Sequence, residues 1–422
     1  MRSTRRAITA AVAGAATIAL IATGCSGGGS AAGQDKITLT IATFNDFGYT
    51  DKLLAEYEKL NPNVTIVHNR AARTNDARDN YFSKLGAGSG LADVEAVEID
   101  WFAELMQYSD KLVDLSSPEV EDRWIDWKAK AATDEKGRLI GYGTDVGPEA
   151  ICYRADLFAA AGLPTDRTEV ATLLKGDWDH YYDVGQKYVD TTGKPWFGSA
   201  VATYQGVINQ VENAYEDDDG TVIATKNAEV EEAFTSVLEA SSTLSAHLSQ
   251  WSDDWFAGLA NGAFATLLCP GWMLGVVEGN APEVTGWDVA NVFPGGGGNW
   301  GGSYLTVPAQ GKNTEAAKDF AAWITAPKQQ LKAFEEAGTF PSQVKAYKDP
   351  TLLKAKNAYF NDAPVGQILI ERSEAVKVAP FKGAKYFPIN DALHKALTRV
   401  EDGQQTIPQS WDQFAADVKS LG

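Results

Sequence analysis

The chain has 422 residues, of which 44% are hydrophobic and 22% are charged, a composition typical of globular proteins. Its net charge of −19 disfavours binding to nucleic acids, because such binding depends on Lys and Arg side chains that neutralise phosphates. The four histidines are isolated and the three cysteines lack the spacing of a zinc site. We therefore expect no metal and no cofactor, and a small ligand that is neutral or cationic.

The first 24 residues have the pattern of an export signal. Three arginines precede an uncharged apolar stretch at 7–22, which is too short to span a bilayer and is typical of a signal peptide. The sequence LIATGC, which begins within the end of this stretch and finishes at Cys25, resembles a bacterial lipobox, in which the cysteine is lipid-modified. We predict a lipoprotein signal peptide at 1–24 and lipid attachment at Cys25, with an unmodified secreted protein as the alternative. Arg5 and Arg6 leave both Sec and twin-arginine export open.

A stretch rich in glycine and serine, SGGGSAAGQ, comes directly after Cys25. This composition favours a flexible coil, and we predict a tether at 25–35. Signal cleavage would remove three arginines and change the net charge from −19 to −22. The anchor and tether together predict a protein that is held by lipid on the extracellular face of the cell membrane.

Strands and helices alternate in the first part of the remaining chain. ITLTIATF and NVTIVHN have strand patterns, and between them TDKLLAEYEKLN places Leu53, Leu54, Tyr57 and Leu60 on one face of a helix. A second helix, a third strand at ADVEAVEI and a further helix follow. This alternation predicts an α/β fold with parallel strands, in which ligands bind beyond the carboxyl ends of the strands.

The alternation resumes after Gly147. EAICYR and AFATLLC read as strands, separated by several helical stretches. Cys152 and Cys269 lie in these two apolar strands, and this placement favours two buried thiols over a disulfide. About 385 residues follow the tether, more than one hydrophobic core usually serves, so we expect two domains.

Four segments resemble one family, the extracellular solute-binding proteins of family 1, which capture sugars for ABC importers. They are GYGTDVGPEAICYRADLFAAAGLP, GLANGAFATLLCPGWMLG, WDVANVFPGGGGNWGGSYLTVPAQGKNTEAAKDFAAWITAP and EEAGTFPSQ, and they occur in the family's order. The resemblance implies a two-lobed periplasmic-binding-protein-like fold of type II, with a mostly parallel sheet flanked by helices in each lobe and three hinge crossovers. It places lobe 1 at 36–146 and 294–338, and lobe 2 at 147–293 and 339–422.

A sugar site needs aromatic faces for the C–H faces of the rings, and carboxylates or amides for the hydroxyl groups. Trp300 lies in a glycine-rich turn that leaves a large aromatic few core neighbours. The resemblance places Trp272 and the Gly301–Gly302 backbone at the cleft. It also makes the loop with Asn45 and Asp46, the strand end with Asp100 and Trp101, the pre-hinge Asp145 and the second-lobe aromatic Tyr386 candidates. We therefore predict ten ligand-binding residues: Asn45, Asp46, Asp100, Trp101, Asp145, Trp272, Trp300, Gly301, Gly302 and Tyr386.

The resemblance implies a monomeric, non-enzymatic receptor that captures a neutral oligosaccharide and delivers it to ABC permease subunits in the membrane. The amino-acid sequence is most similar to actinobacterial members of the family that bind cellobiose and other cello-oligosaccharides. One alternative is a lipid-anchored glycoside hydrolase, which also requires carboxylates in a sugar cleft. Another is a binding protein for a non-sugar solute.

Overall fold

The computed structural model describes residues 35–421. The predicted signal peptide, the lipid site at Cys25 and nearly all of the predicted tether lie outside the described residues. Between residues 35 and 421, none of the helices combines the length and the apolar character needed to cross a membrane.

The elements alternate along the chain, as predicted. The strands are β1 (Ile37–Phe44), β2 (Val64–Ala71), β3 (Val94–Glu98), β4 (Tyr142–Gly143), β5 (Asp145–Val146), β6 (Glu149–Arg154), β7 (Thr266–Pro270), β8 (Trp287–Ala290), β9 (Ser303–Thr306) and β10 (Phe340–Pro341). The α-helices are α1 (Asp51–Leu60), α2 (Thr74–Ala87), α3 (Ile99–Met106), α4 (Asp126–Ala131), α5 (Ala155–Ala160), α6 (Arg167–Leu173), α7 (Trp178–Thr192), α8 (Ala200–Ile208), α9 (Ala228–Leu244), α10 (Asp253–Asn261), α11 (Gly271–Asn280), α12 (Thr314–Ile324), α13 (Pro327–Ala337), α14 (Pro350–Leu353), α15 (Val365–Ala375), α16 (Tyr386–Glu401) and α17 (Ile407–Ser420). Short 3₁₀ helices cover Ser109–Lys111 and Ala346–Lys348.

The first sheet has the strand order β2-β1-β3-β9-β4. β1 pairs in parallel with β2 and β3, whereas β9 runs antiparallel to β3 and β4. Helix α1 packs against this sheet through Leu53, Leu54 and Tyr57, which are buried as predicted. Leu60, which was predicted to lie on the same face, is the last residue of α1 and is 67% exposed.

The second sheet consists of β6 between β7 and β8, and both pairs are antiparallel. The two-lobed α/β class is confirmed, but the prediction of a mostly parallel sheet is wrong for this lobe. The reason is the direction of the chain: β6 leaves the crossover between the sheets, while β7 and β8 each return towards it after a helical excursion. Side chains of β6 alternate between two cores, with Ala150 and Cys152 on one face and Ile151 and Tyr153 on the other.

The crossover between the sheets is short. β4 belongs to the first sheet, β5 pairs antiparallel with β10 in a two-stranded ribbon, and β6 begins at Glu149. Returning towards the first sheet, Trp300 donates its backbone N–H to the carbonyl of Gly147 at 2.8 Å. A Cβ atom at position 147 would lie only 1.8 Å from the carbonyl oxygen of Trp300, so this crossing requires glycine. The predicted lobe boundaries remain a prediction.

The two cysteines are joined. Cys152 in β6 and Cys269 in β7 form a disulfide with a Cα–Cα distance of 5.4 Å, so the prediction of two free buried thiols is wrong. Strand pairing explains the bond: Ala150 faces Cys269 and Cys152 faces Leu267, which places the two cysteines diagonally across neighbouring strands.

We predict that reducing this disulfide lowers the free energy of unfolding by about 2–5 kcal/mol, since the bond closes a long loop in the unfolded chain. Denaturant titration with and without a reductant measures the change. The double variant Cys152→Ala/Cys269→Ala is the control, because its curve should not respond to reductant. Identical wild-type curves under both conditions would contradict a stabilising disulfide.

Candidate functional site

Charged side chains collect where the two sheets approach each other. We call this group the charged cluster; its members are Glu98, Asp100, Lys128, Asp145, Glu149 and Lys382. Lys128 and Glu149 are fully buried, and Asp145 is 6% exposed. Buried charges destabilise a fold unless they are paired or bind a ligand, so this cluster marks the candidate functional site.

Glu98 and Asp100 lie at the junction of β3 and α3. The Glu98 carboxylate caps the helix by accepting the backbone N–H of Asp100 at 2.9 Å. The Lys382 ammonium, from the segment before α16, donates to the Asp100 carboxylate. Burial raises the pKa of Glu98 to about 8, and the neighbouring Asp100 charge adds to this shift. This part of the site therefore holds a carboxyl group whose pKa is raised by burial and by a neighbouring negative charge.

Lys128 and Asp145 lie on the first-sheet side of the crossover. The Lys128 Nζ atom has no hydrogen-bond partner among residues 35–421 and lies 3.9 Å from the centre of the Tyr304 ring, a cation–π geometry. Burial lowers the pKa of Lys128 to about 7, although Asp145 and Glu98 act in the opposite direction. Asp145 accepts the backbone N–H of Ser303 at 2.9 Å and so ties β5 to β9.

Glu149 is the first residue of β6 and is completely buried. Neither of its carboxylate oxygens has a hydrogen-bond partner in the part of the chain that the structure describes. Burial raises its pKa well above the ordinary range, with Lys382 acting against the shift. The side-chain nitrogen of Asn209, also buried, lacks a partner in the same residues. Unpaired buried groups of this kind point to hydrogen bonds that a bound molecule supplies.

Tryptophan side chains lie next to the charged cluster. Trp272 and Trp300 are partly buried, and their rings meet edge to face with centres 5.4 Å apart. The Trp272 indole nitrogen donates to the Trp300 carbonyl at 2.9 Å. Trp251 stacks on Trp272 at 5.9 Å. The two predicted tryptophans are therefore in contact, and Trp251 extends them into a group of three.

Gly301 and Gly302 connect the tryptophans to the charged cluster. Both have positive φ angles, 76° and 108°, which favour glycine. A Cβ atom at Gly301 would lie 3.3 Å from the Trp272 indole nitrogen and 3.8 Å from a Glu98 carboxylate oxygen, and one at Gly302 would lie 3.0 Å from Lys128 Nζ. The predicted glycine pair thus lies between the aromatic group and the buried charges.

Asn45 and Asp46 lie at the end of β1, next to the strand that ends at Glu98. Asn45 has a φ of 48° and is partly buried. Asp46 is exposed, accepts the backbone N–H of Gly48 at 2.9 Å and lies 3.5 Å from Arg70. These two residues therefore share the carboxyl edge of the first sheet with the cluster but have other partners.

Trp101 and Tyr386 do not offer a free ring. Trp101 is fully buried, donates to the Thr74 hydroxyl at 3.1 Å and packs against Tyr81. Tyr386 is 1% exposed and packs against Tyr215 with ring centres 5.0 Å apart. Both rings are part of cores, so this conformation gives neither of them a face on which a sugar could stack.

Four members of the charged cluster were not predicted from the sequence: Glu98, Lys128, Glu149 and Lys382. Glu149 carried a usable signal, because a carboxylate begins the otherwise apolar strand EAICYR directly after Gly147 and Pro148. Lys128 had none, since its helix, DWKAKA, is typical of a solvated surface.

Within residues 35–421 no group of three or more side chains suited to a metal ion occurs.

Comparison with known proteins identifies relatives along nearly the whole chain. The family model of the bacterial extracellular solute-binding protein matches residues 52–361. The arabinooligosaccharide-binding protein of Bacillus subtilis (strain 168) is 25% identical over 427 residues, which cover 95% of this chain and 96% of the relative.

Two solved structures extend this comparison. One, described as extracellular solute-binding protein family 1, is 45% identical, covers 91% of this chain and 99% of its own, and superposes with a TM-score of 0.81. The other is the ABC transporter associated binding protein from B. animalis subsp. lactis Bl-04 in complex with beta-1,6-galactobiose. It is 21% identical, covers 92% of this chain and 97% of its own, and has a TM-score of 0.77, which shows a shared fold.

The raised pKa of Glu149 predicts a pH dependence of stability. Above the unfolded pKa of about 4.3, the folded protein binds the Glu149 proton more tightly than the unfolded chain, so this residue lowers stability as pH rises from 5 to 8. Glu149→Gln removes that contribution. We expect the fall in melting temperature between pH 5 and pH 8 to shrink by about 2 °C or more.

Thermal unfolding at both pH values measures this difference. The control is Glu335→Gln, at an exposed position on α13, which should leave the fall unchanged. Equal falls in wild type and Glu149→Gln would mean that Glu149 is not held protonated in the folded state.

Proposed function

The chain belongs to the bacterial extracellular solute-binding protein family, as the resemblance predicted, and we propose that it is the sugar-binding component of an ABC importer. On this proposal the protein is anchored at Cys25 on the extracellular face of the cell membrane. It captures a neutral oligosaccharide between its two lobes and delivers it to the permease subunits.

One observation carries the proposal: the unpaired buried carboxyl group of Glu149 and the indole of Trp300 come from adjacent segments of the crossover. Glu149 donates its backbone N–H to Gly298 at 3.0 Å, and Trp300 donates its own to Gly147 at 2.8 Å. The segments 147–149 and 298–300 are therefore adjacent. Sugars present hydroxyl groups at their edges and apolar C–H groups on their faces, and this pair can satisfy both.

The charge of the cluster favours a neutral sugar over an acidic one. Four carboxylic side chains surround two lysines, and one of these lysines, Lys382, is paired with Asp100. A sugar carboxylate would add a negative charge beside the Asp100 and Asp145 carboxylates, and repulsion between like charges is strong at a low effective dielectric constant. Hydroxyl groups, by contrast, can donate to Glu149.

Sequence resemblance favours cellobiose and short cello-oligosaccharides as the sugars. The relatives are named for other sugars: arabino-oligosaccharides in one case and beta-1,6-galactobiose in another. All of these are neutral oligosaccharides, which supports this class more broadly than any single member. The relatives are also named as binding proteins, which favours capture over glycoside hydrolysis.

We predict that a neutral oligosaccharide stabilises the protein in a thermal-shift screen of cello-oligosaccharides, arabino-oligosaccharides, beta-1,6-galactobiose and matched oligouronates. A sugar at 100 times its dissociation constant should add about 2.7 kcal/mol to the free energy of unfolding, while the oligouronates should add nothing. Stabilisation by none of the neutral sugars, or hydrolysis of the sugar during incubation, would contradict the proposal.

Tryptophan variants show whether binding occurs at the candidate site. Trp272→Ala and Trp300→Ala should each weaken the affinity for that sugar roughly 10- to 1,000-fold. Trp411→Ala is the matched control, because Trp411 packs on Phe234 and Phe414; it should lower the melting temperature and leave affinity unchanged. If all three variants bind the sugar with the affinity of the wild type, the sugar binds at another site.

The anchor makes a separate prediction. Cys25→Ala should leave no cysteine for lipid attachment, so the protein should appear in the medium or remain unprocessed. Detergent partitioning of cell fractions, followed by mass spectrometry of the N-terminus, measures this. A processed variant that still partitions with the membrane would show that the anchor is not at Cys25.

A further inference from the structure

A second contact joins the two lobes, away from the ribbon of β5 and β10. Helix α3 follows β3 of the first sheet, and α16 packs on α8, which in turn contacts β7 of the second sheet. Helices α3 and α16 contact each other directly. Any rotation of one lobe against the other must therefore break or reshape this contact.

An aromatic side chain forms one half of the contact. Phe387, in the first turn of α16, packs against the first-lobe core that contains Tyr81 and Trp101. The Arg78 guanidinium lies 4.6 Å from the centre of the Phe387 ring. Glu104 holds Arg78 in place through hydrogen bonds of 2.7 and 3.0 Å. Phe387 thus docks against a first-lobe surface whose cation is already fixed.

A buried ion pair forms the other half. Lys382 and Asp100 are bonded, and their side chains are only 6% and 13% exposed. Burial by itself would lower the pKa of Lys382, but the facing Asp100, with Tyr386 and Glu98, raises it instead. Lys382 is therefore protonated and paired with the Asp100 carboxylate, beside the buried carboxyl groups of Glu98 and Glu149.

We propose that Lys382 and Phe387 form a clasp that holds the two lobes together and determines how long a captured sugar stays bound. The inference rests on the proposed function for the identity of the ligand, and on the α3–α16 contact for the clasp itself. It assigns Lys382 and Phe387 to positioning roles, because both act by fixing one lobe against the other.

The energetics make Lys382 the stronger half of the clasp. In the closed form Lys382 and Asp100 are bonded to each other. When the lobes separate, this bond is lost and water hydrates both side chains. Without Lys382, the buried Asp100 carboxylate would lose its bonded cation, and Lys128 would be the one lysine left in the charged cluster. Such truncation of a buried, bonded ion pair acts mainly on the dissociation rate, and it reduces the closed population that binds tightly.

The test compares Lys382→Met, Lys382→Arg and Phe387→Ala with wild type. Stopped-flow fluorescence with the sugar found by the screen gives association and dissociation rates, and X-ray scattering gives the radius of gyration with and without sugar. The matched control is Lys395→Met, which removes a surface ion pair with Asp391 on the same helix α16.

For Lys382→Met we expect dissociation to accelerate roughly 10-fold or more with little change in the association rate. The radius of gyration without sugar should increase, because the clasp is formed in the conformation described here. Lys382→Arg should restore most of both properties, Phe387→Ala should show a smaller effect in the same direction, and Lys395→Met should resemble wild type.

If both Lys382→Met and Phe387→Ala have the dissociation rate and the radius of gyration of the wild type, the clasp proposal is wrong, even if their melting temperatures fall. If Lys382→Met does not fold, the comparison of Phe387→Ala with wild type decides the question in the same way. If wild type binds no sugar, the proposed function fails, and the radius of gyration without sugar still tests the clasp. In that case equal radii for Lys382→Met and wild type would reject it.

Discussion

The close crossing of segments 147–149 and 298–302 is the constraint on which the site depends. Gly147 allows the Trp300 carbonyl to approach, and the resulting hydrogen bonds place Glu149 beside the glycine-rich turn. The same turn continues into Gly301 and Gly302, whose positive φ angles bring the backbone next to Glu98 and Lys128. One backbone crossing therefore positions a tryptophan and carboxylates from both sheets.

The site is assembled at the expense of stability. Glu149 and Lys128 are fully buried without hydrogen-bond partners among the described residues, and each destabilises the fold by its lost hydration. The surrounding cores and the Cys152–Cys269 bond compensate for this. Local features that destabilise the fold are typical of functional sites. The unpaired buried groups distinguish the charged cluster from the ion pairs that stabilise the structure in other parts of the described chain.

Sequence patterns were sufficient to predict the fold class and to name some of the residues that the structure groups at the candidate site. Periodicity located the strands and helices, the glycine-rich turn made Trp300 a candidate, and the family resemblance made Trp272 and the glycine pair candidates. The structure brings these residues together. The direction of β7 and β8 could not be predicted, because it depends on where the intervening helices return the chain. Trp101 and Trp300 look equally suitable in sequence, yet Trp101 packs on Tyr81 in a core, since burial depends on contacts between distant segments.

Lys382 links the chemistry of the site to the movement of the lobes. With the predicted lobe boundaries, its bond to Asp100 crosses from one lobe to the other, and its charge acts on Glu98 and Glu149 at the candidate site. A sugar hydroxyl that hydrogen-bonds to the Glu149 carboxyl group would satisfy a buried group that has no side-chain partner among the described residues, close to the Lys382–Asp100 pair. Binding and closure would then stabilise each other through neighbouring groups of the charged cluster, so coupling between them requires no separate signal along the chain.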